Sequence, residues 1–184
     1  MSYLTNLSFI LGGARSGKSE AAEELATALN QPIYYLATMN SQAVDEETRE
    51  RICRHVMRRP KSWTTIEVNY NLAQFINNLP KNNFTCIIDC LSLYVSNILL
   101  NSEELNYLAV EELILNDINK LMLSIKNQES IHFIIVSNEV GLSLVPMAKV
   151  GRYFRDILGL SNKIVAKHAH CVYFTLSGIS LKIR

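Results

Sequence analysis

Gly12-Gly13-Ala14-Arg15-Ser16-Gly17-Lys18-Ser19 fits the pattern G-x-x-x-x-G-K-S/T, in which glycines let backbone N–H groups turn toward one centre. The segment follows the apolar run Phe9–Leu11 and precedes a stretch rich in Ala, Glu and Leu. That strand–loop–helix setting makes it a cradle for phosphate, favoured further by the helix N-terminus. Lys18 then neutralises the outer phosphates of a nucleoside triphosphate, and the Ser19 hydroxyl ligates magnesium. The metal calls for a carboxylate at the tip of a neighbouring strand. Cys86-Ile87-Ile88-Asp89 is an apolar strand ending in an acid, although Asp89 equally suits a cap for the next helix. Glu139, in Asn138-Glu139-Val140-Gly141, is a second acid at a strand end, with a solvated loop carboxylate as its competing reading.

A second cluster lies in Arg51-x-x-x-His55-x-x-x-Arg59-Pro60-x-x-Trp63. Steps of four place a cation, an imidazole and a cation on one helical face. Flanking positive charge favours the neutral, nucleophilic imidazole, and the arginines suit a triphosphate held in line with it. A solvated helix end that happens to carry a histidine is the plainer reading of the same spacing.

The elements that must hold these residues alternate. Strands are expected at Leu7–Leu11, Ile33–Ala37, Cys86–Asp89, His132–Ser137 and Val172–Ser177, and helices at Lys18–Leu29, Asp45–Arg58, Asn71–Asn77, Leu105–Ile125 and Val150–His168. Helix Asp45–Arg58 opens with acids, closes with Arg54, His55, Arg58 and Arg59, and stops at Pro60, in keeping with the helix dipole. The tail carries two β runs, Val172–Leu176 and Ser180–Ile183, around Ser177-Gly178, so a hairpin is expected at a sheet edge. The fold class expected is α/β, a P-loop NTPase with a mostly parallel sheet covered by helices and a C-terminal β-hairpin, residues 1–184 forming one domain.

Composition narrows the partners. A net charge of +1 over 184 residues gives no electrostatic case for nucleic acid or an anionic membrane. No run approaches the roughly 18 apolar residues of a membrane span, and Met1–Ser8 lacks the basic-then-apolar order of a signal peptide. Cys53, Cys86, Cys90 and Cys171 form no C-x-x-C pair, and Cys86 and Cys90 read as buried free thiols. A cytoplasmic protein is expected.

The chain resembles, nearly end to end, the bifunctional adenosylcobinamide kinase / adenosylcobinamide-phosphate guanylyltransferase family of cobalamin biosynthesis. The resemblance is carried by GGARSGKS at 12–19, YLAT at 35–38, DEETRERICRH at 45–55, RRPKSW at 58–63, IIDCLSLYVSNILL at 87–100, SNEVGLSLVP at 137–146 and GRYFRDILG at 151–159. It implies two consecutive activities. One phosphorylates the aminopropanol hydroxyl of adenosylcobinamide, with ATP or GTP; the other transfers GMP from GTP to that phosphate through a GMP–histidine intermediate. His55 falls at the position of that histidine. Thr38, Met39, Asn40, Val56, Met57, Arg58, Arg59, Glu67 and Asp89 fall at positions that contact the nucleotide. The resemblance also implies a homotrimer. The chain departs from the family pattern in a longer stretch between Thr38 and Asp45, in Asn162-Lys163 where Asn-Gln is usual, and in His170 where Asp is usual. Two other readings fit the phosphate loop alone: a simple small-molecule P-loop kinase, and a GTP-binding regulatory module.

Overall fold

Ile87-Ile88 and Phe133-Ile134-Ile135-Val136 have no polar alternation, so a sheet built from them must be covered on both faces. The computed structural model describes residues 4–39, 46, 57, 59–102 and 106–184. In chain order these form β1 (Leu4–Gly12), α1 (Lys18–Ala28), β2 (Ile33–Ala37), β3 (Thr64–Glu67), α2 (Leu72–Asn77), β4 (Phe84–Asp89) and α3 (Leu91–Leu100). They continue with α4 (Tyr107–Lys126), β5 (Ile131–Asn138), α5 (Lys149–His168), β6 (Ala169–Leu176) and β7 (Ile179–Lys182). Seven strands make one sheet in the order β3-β2-β4-β5-β1-β6-β7, parallel throughout except for the β6–β7 pair. This is the mostly parallel α/β fold with a C-terminal hairpin that the sequence led us to expect.

Alternate residues serve opposite faces. Leu7 and Phe9 of β1, Cys86 and Ile88 of β4, and Phe133 and Ile135 of β5 pack into a large core with α2 to α5. Ile10, Ile87, Ile134 and Val136 turn the other way, onto Ala22 and Ala26 of α1. Helix α4 shows why it lies where it does: Asn106 caps it by accepting from the Ala109 N–H at 3.0 Å, and Val110, Ile114, Ile118, Leu121 and Ile125 form one buried stripe.

The structure adds two elements to the expected set and corrects one placement. β3 is a short, largely exposed edge strand whose Thr-Thr-Ile-Glu carries no buried alternation to reveal it. α3 continues the apolar run of β4 with no side-chain cap at Cys90, so nothing in the sequence separates the two. β4 does not border β1; β5 lies between them, so Asp89 stands at the tip of a strand one removed from the phosphate loop. Of the expected helix Asp45–Arg58, only Glu46 and Met57 are described, both helical; its remaining residues, Arg51 and His55 among them, lie outside the described residues.

Candidate active site

The phosphate loop is shaped by backbone. Gly12 ends β1, and a Cβ there would meet the Thr175 carbonyl oxygen at 2.5 Å and press on the Ser16 hydroxyl. Gly17 takes φ +94°, a left-handed conformation that favours glycine, and it starts α1 with no side-chain cap. The first-turn N–H groups are thus left for an outside acceptor, which is what an anion offers. The hairpin reaches over to the loop: Gly178 N–H donates to Ser16 C=O at 2.8 Å, and a Cβ on Gly17 would sit 3.1 Å from Gly178 Cα. Lys18 is buried and folds back so that Nζ donates to Gly13 C=O at 3.0 Å. Ala14 and Arg15 are exposed, Ser16 Oγ is buried with no hydrogen-bond partner among the described residues, and Ser19 is half-exposed in the first turn of α1.

The tips of β2, β3 and β4 are shaped by side chains. Parallel register sets Ala37 level with Glu67 on one side and Asp89 on the other. Tyr35 OH donates to Asp89 Oδ2, so the carboxylate is held by a phenol; the cap of α3 falls to Cys90, which makes no side-chain cap bond. Burial, first, and then the neighbouring Asp89 charge push the Tyr35 phenol well above its usual range, so its proton stays on. The Arg59 guanidinium lies over the Tyr35 ring, 3.4 Å from its centroid, and Trp63 stacks nearby at 6.4 Å. Thr38 is fully buried; its hydroxyl donates to Cys90 C=O at 2.7 Å and accepts the Cys90 N–H at 2.8 Å. That hydroxyl is therefore spent on joining β2 to the start of α3. Met39 is half-buried, Met57 is 76% exposed, and Glu67 is exposed and accepts from Asn69 Nδ2 at 2.9 Å. Asn40, His55, Val56 and Arg58 lie outside the described residues.

The family of cobinamide kinase / cobinamide phosphate guanyltransferase matches residues 8–183. The chain belongs to that family. It is similar to the bifunctional adenosylcobalamin biosynthesis protein CobU of Escherichia coli, 35% identical over 181 residues, which is 95% of this chain and 98% of that one. The protein of the same description, CobP of Pseudomonas aeruginosa, is 34% identical over 175 residues, 95% of each chain. Among solved structures, the flagellar accessory protein FlaH of Methanocaldococcus jannaschii shares the fold with a TM-score of 0.50 and 16% identity, over 99% of this chain and 77% of that one. The fold is that of a P-loop NTPase, and the family is one of nucleotide-using transferases.

Within this family member the site rests on a polar lattice that the sequence does not reveal. Cys90 Sγ and Ser92 Oγ lie 2.9 Å apart, Asn138 Nδ2 donates to Ser92 Oγ at 2.8 Å, and Asn162 Nδ2 donates to Asn138 C=O at 3.0 Å. Ser137 Oγ closes the chain by donating to Asn162 Oδ1 at 2.7 Å. Burial and the Asp89 charge raise the Cys90 thiol to about 11, while the Ser92 hydrogen bond and the Lys18 charge pull against them. Asn162 is thus structural, while Lys163 and His170, two of the departures from the family pattern, are both exposed. Glu139 follows β5, its N–H donating to Gly12 C=O at 2.9 Å and its Oε1 accepting from Gly141 N–H.

Magnesium takes oxygen donors and is content with one or two carboxylates beside the phosphates themselves. A half-buried Asp89 carboxylate held by Tyr35, and a Ser19 hydroxyl in the first turn of α1, fit that donor chemistry. Among the described residues no helix is long and apolar enough to cross a membrane.

Proposed function

We propose that this chain carries both family reactions on one phosphate loop: phosphorylation of adenosylcobinamide by ATP or GTP, then transfer of GMP from GTP to adenosylcobinamide phosphate. The observation that carries this reading is the loop itself, with Gly17 in the left-handed region, an uncapped α1 and a buried Lys18 aimed back into the cradle. Both reactions begin with a triphosphate held there. Lys18 offsets charge that grows on the leaving oxygens, where a fixed donor has its largest effect. In the first reaction the aminopropanol hydroxyl of the corrinoid attacks the γ-phosphorus and the nucleoside diphosphate leaves. In the second, a nitrogen of His55 bonds to the α-phosphorus of GTP as pyrophosphate departs. The phosphate oxygen of the corrinoid then takes the GMP and releases the imidazole. Magnesium, when bound, supplies charge that spreads over the transferring group, and Ser19 and Asp89 are the residues that hold it.

Support for His55 comes from its place in the family motif and its flanking Arg51 and Arg59. The test is incubation with GTP labelled at the α-phosphorus. Wild-type protein takes up label that is acid-labile and base-stable, as a phosphoramidate is, whereas His55→Ala takes up none and transfers no GMP yet retains kinase turnover. Stable stoichiometric labelling of His55→Ala removes the assignment. Label-free wild-type protein with intact corrinoid phosphorylation would leave the monofunctional kinase instead.

The homotrimer implied by the resemblance gains support from the segment after β5, where Leu142, Leu144, Val145 and Met147 are 82%, 94%, 63% and 97% exposed. Apolar side chains so concentrated suit cover by another protomer. Sedimentation of the wild type against Leu144→Glu checks it, the expected outcome being a trimer that the charge disperses.

A further inference from the structure

Tyr35 stands in mid-β2, 1% exposed, and touches the site with both ends of its side chain. Its hydroxyl donates to Asp89 Oδ2, and its ring carries the Arg59 guanidinium 3.4 Å from the centroid. Arg59 is itself incomplete: Nε and NH1 are buried and find no hydrogen-bond partner among the described residues. Dry, unanswered N–H groups on a cation are costly unless an acceptor arrives, and the anionic oxygens of a triphosphate are such acceptors. The charged groups that act on Tyr35 are Asp89, Arg59 and Glu23 of α1.

We infer that Tyr35 is a positioning residue joining two poles of the nucleotide site: its hydroxyl fixes the Asp89 carboxylate for magnesium, and its ring holds the Arg59 guanidinium ready for the triphosphate. The inference rests on the proposed roles of Asp89 and Arg59. It has a separable form, because phenylalanine keeps the platform and loses the donor, while leucine loses both.

The experiment measures binding, not turnover, by calorimetry on the full chain. The probe is a GTP analogue with a methylene bridge between the α- and β-phosphorus, which cannot release pyrophosphate, titrated with and without magnesium. Tyr35→Phe is expected to bind as wild type without magnesium and to lose about tenfold of the tightening that magnesium gives, the scale of losing a partner that orients a ligand. Asp89→Asn should lose at least as much of that magnesium-dependent tightening, and the double variant should be no worse than Asp89→Asn alone, since the hydroxyl acts only through that carboxylate. Tyr35→Leu should weaken binding without magnesium as well, to the level of Arg59→Ala. Wild-type behaviour of Tyr35→Phe in both titrations overturns the inference, as does a double variant whose losses multiply. Should Tyr35→Leu fold poorly, the Tyr35→Phe and double-variant titrations decide alone. Wild-type binding by both Asp89→Asn and Arg59→Ala would overturn it from beneath, by removing the site reading on which it rests.

Discussion

The phosphate loop is fixed mostly by main chain: Gly178 N–H on Ser16 C=O and glycines where a Cβ would collide, with one side-chain bond, from Lys18 Nζ to Gly13 C=O. The tips of β2 and β4 are fixed by side chains: Tyr35 on Asp89, Thr38 on Cys90, Asn97 Nδ2 on Thr38 C=O at 2.8 Å. A main-chain site tolerates change wherever the side chain points outward, as at Ala14 and Arg15, and fails wherever a Cβ is added inside. A side-chain site has the opposite sensitivity, since an isosteric swap that leaves the packing alone still removes a donor or a charge.

Lys18→Ala gives the largest effect expected, because it removes the one side-chain charge the main-chain site depends on. Turnover of both reactions should fall at least about a hundredfold, the scale of one lost donor in a charged transition state. Steady-state rates that stay normal would break the assignment of the loop.

Gly12→Ala against Gly13→Ala tests the main-chain argument by stability. A Cβ at Gly12 meets the Thr175 carbonyl at 2.5 Å, whereas one at Gly13 meets nothing within 4 Å. Urea unfolding should place Gly12→Ala roughly 1–3 kcal/mol below wild type, the usual cost of overpacking. Gly13→Ala should stay within about 0.5 kcal/mol. Equal losses would mean that the loop gives way freely.

Asp89→Asn tests the side-chain argument, since shape is kept and charge is lost. The magnesium concentration at half-maximal velocity should rise about tenfold while the urea midpoint barely moves. An unchanged magnesium dependence would strip Asp89 of its proposed role and leave it as the acceptor for Tyr35.

The smallest effect lies away from both regions. His132 sits in β5 with Nε2 3.2 Å from Ser8 Oγ, and burial lowers its pKa from 6.5. The unfolded chain therefore binds the proton more readily, so stability is complete above the ordinary value and declines as pH falls below it toward the folded value. Melting temperatures of His132→Gln should decline less than those of wild type as the medium is acidified from about pH 7 to 5. Parallel curves would acquit this histidine.

The same contrast explains what was legible in the sequence. Gly12–Ser19 is contiguous, with its strand before and helix after, so its residues announce themselves together. The hairpin was legible too, because Ser177-Gly178 takes φ +51° and +82° between two β runs and the turn chemistry is local. Tyr35 and Asp89 are 54 residues apart, and nothing in either neighbourhood marks the pair. Asp89 was legible only as a strand-end acid, and the insertion of β5 between its strand and β1 was hidden because strand order depends on which crossover packs where. β3 and α3 escaped for lack of alternation and of a cap. For His55 the sequence offers a spacing and a resemblance, and its surroundings lie outside the described residues.

The bond from Gly178 N–H to Ser16 C=O ties the phosphate loop to a turn made much later in the chain. Ser16 is made before its partner Gly178, which follows only after five further strands. Until the hairpin pairs with β1 through β6, the cradle lacks the main-chain bond that joins Gly178 to Ser16, so the loop closes only after the Ser177-Gly178 turn has been made. The late turn acts as a proofreading clasp: a chain abandoned before it is written has the whole glycine loop and nothing to close it.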